Sequence, residues 1–96
     1  MKDKTRATGV APAAYVVARD AYYVASTAAQ RTGREAAVKR ADCVAATTAY
    51  AAIPSAAHRA DLQAARNEAD HAELIAAIRR ADCAAAGVAY EAAIDG

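Results

Sequence analysis

VKRADCVAATTAY, residues 38–50, comes back as IRRADCAAAGVAY at residues 78–90. The match extends outward without a gap: residues 36–52 and 76–92 agree at eleven of seventeen positions. Seven agreements are Ala on Ala, which an alanine-rich chain produces easily. The other four are Arg40/Arg80, Asp42/Asp82, Cys43/Cys83 and Tyr50/Tyr90, with Val38/Ile78 and Lys39/Arg79 as near matches. A copy displaced by 40 residues in a chain of 96 reads as a duplicated helical hairpin. The expected fold is therefore all-α, a four-helix bundle or paired αα-hairpins built from that duplication.

Punctuation around the repeat places the helices. Pro12 suits a first helical turn, and the helix it opens runs to about Gln30. Gly33 can close it, while Thr32 and Glu35 have capping-box spacing for the next helix, which runs to about Ala52. Ile53-Pro54 stops that helix, and Ser55 is an N-cap for a third, to about Arg66. Asp70 and Glu73 again have capping-box spacing, so a break at 67–70 opens a fourth helix to about Ala93. The expectation is one domain over residues 1–96. Residues 1–11 form a flexible arm, 12–53 the first hairpin and 55–94 the second. No segment sustains strand alternation.

Composition says what kind of interior this is. Alanine dominates, Phe and Trp are absent, and Leu occurs only at Leu62 and Leu74. Each buried methylene contributes roughly 0.8 kcal/mol, so an alanine interior gains little per residue. Alanine offsets part of this through high helix propensity and close approach of helix axes. A core so thin favours self-association, and a homodimer is expected. Net charge is +1, which argues against a dedicated polyanion binder. Residues 1–48 carry eight Lys/Arg against four Asp/Glu, and residues 49–96 carry four against seven, an imbalance able to steer two copies together. No stretch approaches the ~18 uncharged apolar residues of a spanning helix. The N-terminus lacks the pattern of a signal peptide. A cytoplasmic protein with Cys43 and Cys83 as thiols is the expectation.

On a helical wheel, Val38, Ala41, Ala45, Ala49, Ala52 and Ile53 form one apolar stripe, with Asp42 inside it. Leu74, Ile78, Ala81, Ala85, Ala89 and Ala92 repeat it around Asp82. Asp20 sits similarly near Tyr23 and Val24, and Asp61 echoes the pattern. Taken as the core, these stripes would make Asp20, Asp42, Asp61 and Asp82 a structural polar centre, each paired with a neighbouring helix. Cys43 with Tyr50, and Cys83 with Tyr90, lie on a second face among small residues. That face is either a seam or an exposed contact surface.

Catalytic signals are weak. The duplicated Cys has no duplicated His, His58 and His71 fall near helix starts, and phosphate loops, Cys-x-x-Cys and nucleophile elbows are missing. No enzyme activity, metal or cofactor is expected. In composition alone the chain resembles alanine-rich helical proteins of GC-rich bacteria and their phages, some small immunity-type proteins among them. The functional expectation is a small non-catalytic module that covers a partner protein, as an inhibitor does. Tyr22, Tyr23, Tyr50 and Tyr90 would be anchors, and Arg31, Arg34, Lys39 and Arg40 an electrostatic rim. One alternative is a ligand or metal site built from the four Asp residues. Another is a nucleic-acid accessory protein using the basic residues around 31–40 together with Lys2, Lys4 and Arg6.

Overall fold

In the computed structural model, which describes residues 10–95, the chain is all-α with two helices. Helix α1 is Val10–Ala52 and helix α2 is Ala56–Asp95. The join between them follows the sequence. The last turn of α1 closes with the Ile53 amide donating to the Ala49 carbonyl at 3.0 Å. Pro54, without an amide hydrogen, cannot extend the ladder. Ser55 then caps α2: its Oγ accepts the His58 amide at 3.1 Å, and its carbonyl accepts the Arg59 amide at 2.9 Å. His58 Nδ1 lies 2.6 Å from the Ile53 carbonyl oxygen and ties the turn from the other side.

The expected breaks at 31–34 and 67–70 are absent, so four helices become two. Gly33 keeps a negative φ, so no left-handed cap forms there. At the second site, Asp70 and Glu73 turn their carboxylates to Arg40 across the helix pair instead of capping a new helix. The expected 1–11 arm lies outside the described residues except for positions 10 and 11, which are helical.

The chain divides into two compact units. Unit 2 is residues 30–78, an antiparallel hairpin around the Pro54 turn; unit 1 takes in the chain up to Ala29 and from Arg79 on. In unit 2 the buried residues are Ala36, Cys43, Leu62, Ala69 and Ala76. They recur at intervals of seven on each helix. Half-buried Lys39, Ala46, Ala65 and Ala72 fall three residues after inward positions. This is the a/d spacing of a two-helix seam. Its centre is Cys43, Leu62 and Ala69, with Ala46, Tyr50 and Ala65 packed against them. Unit 1 uses the same spacing with Tyr15, Ala18, Tyr22 and Ala25 against Cys83, Ala86, Tyr90 and Ala93, all half-buried.

The repeated residues therefore share one register: Ala36 and Ala76, Cys43 and Cys83, and Tyr50 and Tyr90 all point inward. The stripes expected to form the core do not. Val38 is 59% exposed, Ile53 63%, Leu74 59% and Ile78 46%, and the alanines between them are exposed or half-buried. Each helix carries two apolar stripes, and a two-helix pair has one seam. The Val/Ile stripes contain Asp42 and Asp82, whose carboxylates would need partners once buried. The Cys/Tyr stripes carry the larger rings and thiols, with cations only at Lys39 and Arg79, which reach out to solvent.

Candidate interaction surface

In unit 2 the two helices are tied across the seam by charge, Lys39–Glu68 on one flank and Arg40 with Asp70 and Glu73 on the other. Lys39 Nζ donates to Glu68 Oε1 at 3.0 Å. Arg40 forks onto Glu73, with Nε to Oε2 at 3.0 Å and Nη2 to Oε1 at 2.6 Å, and Nη2 also reaches Asp70 Oδ1 at 3.3 Å. The hydrogen bond to Arg40 holds the Glu73 carboxyl below its ordinary 4.5, and the bond to Glu68 holds the Lys39 ammonium above its ordinary 10.5. A depressed carboxyl stabilises the fold above its unfolded value and loses that contribution as pH falls through the folded value. The Glu73 contribution is thus complete above about pH 4.5 and fades below it. We expect the urea midpoint to fall below that pH and to fall less steeply in high salt, because both partners are solvent-exposed. Arg40→Met should flatten this part of the acid limb. A variant with an unchanged acid limb would contradict the assignment.

Beside the Lys39–Glu68 tie runs a groove of about 530 Å³, lined by Val38 and Ile75 and bordered by Arg31, Arg34, Lys39 and His71. Of the four cations expected as a rim, the structure separates two pairs. Lys39 and Arg40 are engaged with carboxylates inside unit 2. Arg31 and Arg34, among the described residues, have no ion-pair partner and stand at the groove edge. Ile75 was invisible to the stripe reading. Its signal is its position immediately before inward Ala76, as Glu68 stands before Ala69 and Asp61 before Leu62.

The tyrosines gather mostly in unit 1. Tyr22 stacks on Tyr90 with centroids 5.6 Å apart, and Tyr15 tilts against Tyr90 at 5.5 Å with the two hydroxyls 3.1 Å apart. Arg19 lies over the Tyr15 ring at 5.9 Å. Gly87 faces the stack: a Cβ there would sit 3.4 Å from Tyr22 Cε1, in van der Waals contact with the ring. The Tyr15 hydrogen bond, followed by desolvation, raises the Tyr90 phenol above its usual value. Tyr23 faces solvent at 59% exposure. In unit 2, Tyr50 packs on the Cys43–Leu62 cluster. The seam thus holds Tyr22, Tyr50 and Tyr90, and only Tyr23 of the four expected anchors is turned outward.

The four aspartates are all exposed, and no polar side chain is buried among the described residues. Asp20 pairs with Arg19 at 3.3 Å and Asp82 with Arg79 at 3.4 Å, and both carboxylates border a groove in unit 1 beside Val24. Asp42 and Asp61, in unit 2, have no ion-pair partner among the described residues. No group of three or more metal-ligating side chains occurs among the described residues. Cys43 and Cys83 are free thiols. No helix of the described residues is long and apolar enough to cross a membrane. No protein family matches the chain, and no curated protein or solved structure is found similar to it.

Proposed function

We propose that the chain is a small, non-catalytic helical interaction module that works by covering a partner protein, in the manner of an inhibitor or immunity-type protein. The observation that carries this reading is the mismatch between what is buried and what is not. Among the described residues the buried set is five, of which Leu62 is the largest aliphatic one. In unit 2, Val38, Val44, Leu74 and Ile78 remain between 46% and 60% exposed, and in unit 1 Val17, Tyr23, Val24 and Val88 remain between 59% and 71% exposed. Outward apolar side chains of this kind, set among charged residues, are the material of interaction surfaces.

A carboxylate-lined metal or ligand site gains no support from four exposed aspartates. A nucleic-acid role loses two of its basic residues, Lys39 and Arg40, to intramolecular pairs. Affinity capture with the full chain tests the module reading, read by mass spectrometry and compared with Val24→Asp and Ile78→Asp. We expect a protein, foreign or a second copy, to be held by the wild type and reduced about tenfold or more by at least one variant. Equal retention by all three, or no retained protein, would contradict it.

A further inference from the structure

The outward face of unit 2 is polarised along its length, and the polarity is self-complementary. Positions just before the inward residues line one flank of the seam: Glu35 and Asp42 on α1, Asp61, Glu68 and Ile75 on α2. Glu35 and Ile75 of this flank border the groove, together with Val38 and Lys39. Away from the Pro54 turn, this face presents the unpaired guanidinium groups of Arg31 and Arg34, and Glu35 beside them leaves that end net positive. Its middle is apolar, with Val38 and Ile75 and the mutually neutralised Lys39–Glu68 pair. Toward the turn it presents Asp42 and Asp61, both exposed. Asp42 stands three residues after Lys39, about one helical turn along the same side of α1. Arg31 and Asp42 are eleven residues apart on one helix, about 16 Å along its axis.

We infer that this face of unit 2 binds a second copy of the chain, turned by a twofold axis through the Val38–Ile75 middle. The proposal rests on the interaction-module reading and names its partner. A twofold axis at the apolar centre lays the basic end of each copy over the acidic end of the other, twice, while Val38 and Ile75 lose their exposure. Isologous contacts require a patch that complements itself under such rotation. Arg31 and Arg34 with Glu35, the apolar middle, and then Asp42 and Asp61 are arranged in that order. The result is four helices from two chains, so the bundle suggested by the internal repeat is completed between copies.

Charge inversion of the two ends, read by light scattering and sedimentation on the full chain, tests this. Arg31→Glu with Arg34→Glu makes the whole face acidic, and Asp42→Arg with Asp61→Arg makes it basic. Each double variant alone should dimerise at least about tenfold more weakly than wild type, and an equimolar mixture should recover a heterodimer. All four positions are exposed, so helical circular dichroism should persist. Val38→Asp should likewise give a helical monomer. A monomeric wild type at high micromolar concentration overturns the second-copy proposal. So does an undiminished dimer in either double variant, or a mixture that stays monomeric. The module reading falls separately, and only if the capture experiment retains nothing that Val24→Asp or Ile78→Asp releases.

Discussion

Gly33→Pro is expected to lower stability by about 3 kcal/mol or more, and Gly33→Ala to raise it by roughly 0.5–1 kcal/mol. Both follow from α1 running unbroken through this position. Proline there removes a helix hydrogen bond and drives its ring into the preceding turn. Alanine fits because Gly33 has no positive φ and a Cβ would meet nothing within 4 Å. The unfolded chain also loses freedom on gaining a side chain. Were the helix broken at 32–35, as the capping pattern reads, proline would be accepted near the start of the second helix. Thermal unfolding followed at 222 nm separates the two cases. At about 4–8 °C per kcal/mol for a domain of this size, the proline variant should melt more than about 12 °C below wild type. A proline variant melting with wild type would contradict the two-helix fold.

Leu62→Ala should cost about 2–5 kcal/mol. Leu62 is 6% exposed and contacts the Cys43–Ala69 cluster, whose other members are too small to collapse into the space it leaves. Small domains have little stability to spare, so this one truncation should leave a substantial unfolded population at room temperature. Leu74→Ala provides the internal comparison. Leu74 is 59% exposed, so its truncation should change the stability of the isolated chain by well under 1 kcal/mol. Composition treats the two leucines alike, and only the seam register tells them apart. Chemical denaturation of both variants checks this, and comparable losses at the two positions would place the seam elsewhere.

Much of this was legible in the chain, and the misreadings have physical causes. The all-α class came from alanine content and the absence of strand alternation. The Pro54 stop and Ser55 cap came from groups with one reasonable use. The helix breaks did not hold because Asp70 and Glu73 had a competing partner in Arg40, thirty residues or more away, which local spacing cannot reveal. Gly33 without a left-handed φ is only a weak point in a helix. The stripe assignment was inverted for another reason. A wheel finds apolar faces but cannot say which one meets a neighbour in the same chain. Residues 36–52 and 76–92 each bear two such faces, and the seam took the one with Cys and Tyr at seven-residue spacing. Of the expected rim, Arg31 and Arg34 stand at the groove edge without an ion-pair partner among the described residues. That Lys39 and Arg40 are spent inside unit 2 required the pairing of the helices to be known.

The central claim is that the Cys, Tyr and Ala face lies between the two helices while the Val and Ile stripes look outward. Nuclear Overhauser spectroscopy on the full chain, filtered to retain contacts within one molecule, tests it most directly. The expected spectrum joins the Cys43 β-protons to the Leu62 methyls and the Tyr22 ring to the Tyr90 ring. A spectrum lacking both, with the Val38 methyls joined instead to Leu62 of the same molecule, would contradict it.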